Sequence, residues 1–159
     1  MKRALSVTWS DPAELAERGR SMAGIDFLRA IRDRTLPGAP IAELLGFSLA
    51  EVEPGHVVFE VVPGEQHYNP IGVVHGGLAM TLLDSAMGCA VQTHMPAGSG
   101  YTTLEAKTNL VRPITAATGR LRAIGKVVHV GKRVATAEGR LEDAAGKLYA
   151  HASSTCIVL

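Results

Sequence analysis

Along the C-terminal part of the chain, apolar and polar residues alternate. Leu104, Ala106, Thr108 and Leu110 interleave with Glu105, Lys107 and Asn109. Leu148, Ala150, Ala152, Ser154, Cys156 and Val158 fall on one side of a later run. A period of two is what a strand with one buried face requires. The pattern predicts strands over 102–112, 119–130, 133–142 and 147–158, and the short turns between them (113–118, 129–132, 143–146) make neighbours antiparallel. Two earlier runs, 47–52 and 56–62, read as strands joined at Glu53-Pro54-Gly55. Between the two groups the period changes. Residues 78–92 are apolar on nearly every side, the mark of a helix buried inside a fold. One long apolar helix with six antiparallel strands predicts an α+β class, the sheet wrapped around the helix.

Residues 1–40 read as an N-terminal helical extension ahead of a domain over 41–159. Asp11 is placed as an N-cap, Pro12 as the first helical residue and Glu14 as the capping-box partner of a helix running to about Ser21. Gly24 breaks it. Residues 25–34 then carry Phe27, Leu28 and Ile31 at helical spacing, with Arg29, Arg32, Asp33 and Arg34 turned outward. This reads as an amphipathic cap packed on the domain or on a dimer partner. Residues 37–40 form a linker and 41–45 a short helical turn.

A chain of 159 residues suffices for one domain with a real core, and 47% hydrophobic residues excludes a disordered one. The formal net charge of +1 gives no sign of a nucleic-acid or membrane-binding surface. Cys89 and Cys156 sit in apolar runs and read as free thiols in a reducing compartment. No signal-peptide core or membrane span is read, so the cytoplasm is the expected location. His56, His67, His94, His129 and His151 lack metal-ligand spacing, and neither His-Glu-x-x-His nor Cys-x-x-Cys occurs; no metal is expected. There is no Gly-x-Ser-x-Gly elbow, complete dinucleotide fingerprint or P-loop, and no cofactor is expected.

The chemistry concentrates in Asn69 to Asp84. Asp84 is the one charged residue between His75 and His94. A carboxylate in an apolar helix is costly unless it is paired or its pKa rises. It is therefore either a hydrogen-bonded structural acid or a functional one. Just before the helix, Gly76 and Gly77 leave backbone N–H groups bare at its positive end, where an anion or a polarised carbonyl can reach them. Glycines that only form a turn are the other reading. His75 and Asp84 lie nine positions apart, about 13 Å of rise and about 180° of rotation on one helix. If both serve one site, a second chain contributes.

Asn69-Pro70-x-Gly72-x-x-His75-Gly76-Gly77, with Asp84 in Leu-Leu-Asp-Ser-Ala-Met-Gly, resembles the hotdog-fold acyl-CoA thioesterases, most closely the PaaI-like group. Residues 101–113, Tyr-Thr-Thr-Leu-Glu-x-Lys-x-Asn-x-x-Arg-Pro, resemble that group's next strand. The resemblance runs from about Leu45 to Leu159. It implies the hotdog fold, a homodimer or homotetramer, and hydrolysis of an aryl- or medium-chain acyl-CoA. It makes Asp84 the base or nucleophile and the Gly76 N–H the group that polarises the carbonyl. Asn69 helps position the carbonyl or the water. His75 either donates to a carbonyl or fastens the loop, and Thr103 either holds the water or is an ordinary strand residue. Gly77 lies on the substrate side of the helix start. Arg112, Lys132 and Arg133 are candidates for the CoA phosphates. A lid over the acyl chain becomes a second reading of the N-terminal helices. A hotdog dehydratase and a non-catalytic acyl-CoA binder are the competing readings.

Overall fold

All six strands of the computed structural model, which describes residues 1–159, join one antiparallel sheet. The elements run α1 (Pro12–Ser21), α2 (Gly24–Arg32), α3 (Pro40–Leu45), β1 (Phe47–Glu53), β2 (His56–Val61), α4 (Gly76–Gln92), β3 (Tyr101–Leu110), β4 (Leu121–Val130), β5 (Val134–Asp143) and β6 (Leu148–Val158). The strand order is β1-β2-β4-β5-β6-β3, which leaves β1 and β3 as edges. Register shifts interrupt four of the five strand pairings, at Leu49/Glu51, Thr103/Glu105, Val127/His129 and Leu141/Glu142. Bulges of this kind bend a strand and increase its twist. The curved sheet wraps α4.

Two paired glycines let the helix come close. Gly125 of β4 faces Gly139 of β5 across the ladder. A side chain at Gly125 would run into the backbone of Ala86 and Met87, and one at Gly139 would press on Leu83 and Met87. Leu82, Leu83, Ala86, Met87, Ala90 and Val91 are fully buried in this groove. Burying each of the larger side chains contributes roughly 1.5–3 kcal/mol. Leu28 of α2 joins the same core beside Ala42 and Phe47.

Several expectations change in detail. The central helix begins two residues earlier, at Gly76. Asp11 caps α1 by accepting from the Ala13 N–H at 2.8 Å, and Glu14 returns no capping-box bond. α2 ends at Arg32 rather than Arg34. Its last turn closes with Arg34 in the left-handed region (φ 60°), while Arg34 N–H donates to the Ile31 carbonyl and Thr35 N–H to the Ala30 carbonyl. This is the Schellman closure, with arginine in the place glycine usually takes.

The larger correction concerns α4, which is not buried all round. Met80 is 47% exposed and Asp84 is exposed beside it, four residues on, so both lie on one stripe that the sheet leaves open. β3 differs in the same way. Ala106, Thr108 and Leu110 sit opposite Ser154, Ala152 and Ala150, on the helix side as their alternation predicts. Ala106 and Leu110 are nevertheless exposed, because β3 is the last strand and nothing in the chain covers it. Leu104 falls at the bulge and is 58% exposed.

Candidate active site

Asp84 projects from the ninth position of α4 toward the start of β3. Thr103, at the β3 bulge, donates its hydroxyl to Asp84 Oδ1 at 2.9 Å. A carboxylate at this place is thus paired by a hydrogen bond and open to solvent, which is why an apolar helix tolerates it. Burial pushes the Cys89 thiol up to about 12, and the charge of Asp84 adds to the shift. Such a thiol is not a nucleophile at neutral pH. Burial likewise holds the Tyr101 phenol well above its ordinary value, followed by the influence of Cys89, Cys156 and Asp84.

The start of α4 is built by the loop before it. Tyr68 bridges Val74, and its hydroxyl accepts from the Ala116 N–H at 2.9 Å. Asn69 Oδ1 accepts from the Ile71 and Val73 N–H groups at 3.1 and 3.3 Å, so the amide oxygen shapes the loop. Its amide NH2 makes no hydrogen bond in the chain. His75 is the N-cap: its Nδ1 accepts from Gly77 N–H at 2.8 Å. The loop-fastening reading of His75 therefore has a bond behind it, and the neutral tautomer leaves Nε2–H as an outward donor. The same bond occupies the Gly77 N–H. A side chain at Gly77 would collide with the His75 ring. Gly76 N–H, by contrast, donates to nothing in the chain. The end of the exposed Leu110 side chain lies against Gly76, where an added methyl would stand.

The predicted residues thus form two groups. Asp84 and Thr103 meet at the Tyr101 end of β3. Asn69, His75, Gly76 and Gly77 gather at its Leu110 end. Gly76 and Asp84 are eight residues apart on one helix, about 12 Å along its axis. The cations divide likewise. Lys132 and Arg133 precede β5, whose first residue Val134 pairs with Ile157 near the end of β6. Arg112 donates from Nε to the Leu148 carbonyl at 2.9 Å, at the beginning of β6. β6 is 11 residues long, about 33 Å, so one chain does not bring Arg112 together with Lys132 and Arg133.

Three further residues border Asp84 and went unassigned in the sequence: Ser85, Cys89 and Tyr101 share a cleft with it. Their signal was the spacing of Ser85 and Cys89 on the open side of α4. His67 is structural. It is buried, takes the Gly64 N–H on Nδ1 at 3.0 Å and faces the Leu45 carbonyl through Nε2 at 3.0 Å.

The thioesterase superfamily pattern matches residues 71–150, which hold the helix, Asp84 and strands β3 to β5. The chain belongs to the thioesterase superfamily. As a thioesterase it has a relative in Saccharolobus solfataricus named "Putative esterase SSO2140", 31% identical over 134 residues, 84% of this chain and 94% of the relative. The 1,4-dihydroxy-2-naphthoyl-CoA hydrolase of Listeria monocytogenes is 25% identical over 108 residues, 68% of this chain and 86% of that protein. Among solved structures, the phenylacetic acid degradation protein PaaI of Thermus thermophilus superposes with a TM-score of 0.68 at 29% identity, over 75% of this chain and 98% of its own. The thioesterase shares the hotdog fold with these PaaI-like proteins, and it is a thioester hydrolase.

Proposed function

We propose that the chain hydrolyses acyl-CoA thioesters at sites shared between two copies, with Asp84 and Thr103 from one and Asn69 and the Gly76 N–H from the other. The observation that carries this reading is the separation of a free N–H and an exposed, hydrogen-bonded carboxylate by about 12 Å on a single helix. A carbonyl carbon has to lie near both an oxyanion donor and the attacking water, roughly 3 Å from each. One chain does not offer that place.

Two-fold pairing of the free β3 edges supplies it. Such pairing is antiparallel and self-complementary. It sets the Leu110 end of one β3, with its Gly76 loop, beside the Thr103 end of the partner's. The same operation carries Arg112 of one chain toward the end that holds Lys132 and Arg133 of the other, a basic mouth for the CoA phosphates. A homotetramer made of two such dimers leaves the sites unchanged. The Thr103 hydroxyl donates its hydrogen bond to Asp84, so its oxygen remains an acceptor for water. Water held there faces the second carboxylate oxygen, which takes its proton as it attacks the carbonyl. Asp84 is thereby a general base. The oxyanion that forms is met by the Gly76 N–H at the positive end of α4. Collapse of that intermediate expels CoA thiolate and leaves the free acid.

The test is CoA release from a panel of aryl- and medium-chain acyl-CoAs, followed with a thiol reagent. Asp84→Asn is expected to lower kcat by about 10²–10⁴, the range for a lost general base, while CoA binding persists. Turnover at the wild-type level in purified Asp84→Asn would remove Asp84 from the mechanism.

A further inference from the structure

A cavity of about 1030 Å³ opens beside Asp84 and runs along α4 past Ser85 and Cys89. It does not end within the family-matched region. Its far side is made by Phe27, Leu28 and Ile31 of α2 and by Leu36 in the loop that follows, and its floor by Phe47 and Phe59 of β1 and β2. Ligand pockets span roughly 300–1,000 Å³, so the space far exceeds the needs of an acetyl group. The N-terminal wall is fixed in place. Gly24 N–H donates to the Met95 carbonyl at 2.9 Å, Leu28 is only 4% exposed, and Arg29 pairs with Glu53 at 3.6 Å.

Resting on the acyl-CoA reading above, we infer that residues 24–39 form the wall of the acyl pocket and select an uncharged, apolar acyl group of medium length. The chemistry of the lining supports the apolar part. Phe27, Leu28, Ile31 and Leu36 give the wall its apolar part and Phe47 and Phe59 the floor, while the charged Arg34 and Glu43 of the lining are exposed to solvent. The thiol of Cys89 is neutral, and Arg32 is already tied to Asp33 at 2.8 and 3.2 Å. From Asp84 to Cys89 the helix rises about 7.5 Å, and the cavity continues beyond it under α2, which gives an extended chain somewhere to go.

Alkyl-CoA thioethers test this without turnover, since they carry no carbonyl to attack. Calorimetry on the full chain is expected to find S-octyl-CoA bound about a hundredfold more tightly than S-ethyl-CoA, well within what six buried methylenes allow. Leu36→Trp fills the wall from an accessible loop and should cut that ratio about tenfold. Ile31→Ala enlarges the pocket and should move the preference toward S-dodecyl-CoA. Circular dichroism melting establishes that each variant is folded, and if Leu36→Trp is not, Ile31→Ala decides. An octyl-to-ethyl ratio near one in the wild type, or a chain-length preference unmoved in the folded variants, overturns the inference. Tighter binding of an ω-carboxyalkyl thioether than of S-octyl-CoA overturns its apolar part. Failure of the hydrolytic mechanism reads differently: octyl-CoA would still bind selectively while octanoyl-CoA released no thiol.

Discussion

Asp84 and Thr103 are joined by one hydrogen bond, and how far that bond matters can be measured. A bond to a charged acceptor contributes about 1.5–3 kcal/mol, and whatever part of it is gained only in the transition state shows in kcat, up to roughly ten- to a hundredfold. Thr103→Val is nearly isosteric and should lower kcat by up to that factor, and a melting curve on the same protein separates lost catalysis from lost stability. Thr103→Ser restores the hydroxyl and should recover most of the loss. A threonine that merely fills a strand would give wild-type rates in both. At this scale the sequence was informative about identity and less so about environment. Asp84, Gly76 and Thr103 were all visible as candidates. The exposure of Asp84 was not, because a helix with apolar residues on every side does not say which stripe its own sheet covers. The ring of His75 closing on Gly77 was equally hidden, since a histidine before two glycines fits a donor and a cap alike.

The elements follow the same logic at larger size. Strand positions came out within a few residues because period two survives wherever one face is buried. The bulge at Thr103/Glu105 was invisible, as it shifts the pattern by one residue without altering composition. What the N-terminal helices do was also beyond the pattern. Phe27, Leu28 and Ile31 form an apolar face, and an apolar face does not name what it packs on. Gly24 supplies the reason that α2 lies where it does. A side chain there would strike the Gln92 carbonyl at the end of α4, so only glycine allows this approach. Gly24→Ala has to push α2 outward and should cost about 1–3 kcal/mol, measured as a lower denaturation midpoint at unchanged m. Because α2 walls the cleft beside Asp84, octanoyl-CoA should lose more kcat/KM than acetyl-CoA. Wild-type stability in Gly24→Ala would mean that α2 is not held by this contact.

At the scale of the whole molecule, the open stripe of α4 and the uncovered face of β3 are one surface. Met80, Asp84, Ala106 and Leu110 lie exposed along it, and β3 offers an unpaired edge beside them. An edge strand with apolar neighbours is a template for another chain. The proposed two-fold pairing uses it and divides every active site between two copies, which makes complementation the decisive measurement. Asn69→Ala damages only the loop side of a site and Asp84→Ala only the acid side, and each homodimer should be inactive. Unfolded together and refolded, the two chains should give about half mixed dimers by random exchange. In a mixed dimer one site joins the intact Asp84 of the first chain to the intact loop of the second, while the other site collects both lesions. Activity should therefore return to about a quarter of wild type. Native mass spectrometry establishes first that mixed dimers have formed. Mixed dimers that form and stay inactive would place acid and loop within one chain, and the division of the site proposed for this thioesterase would be wrong.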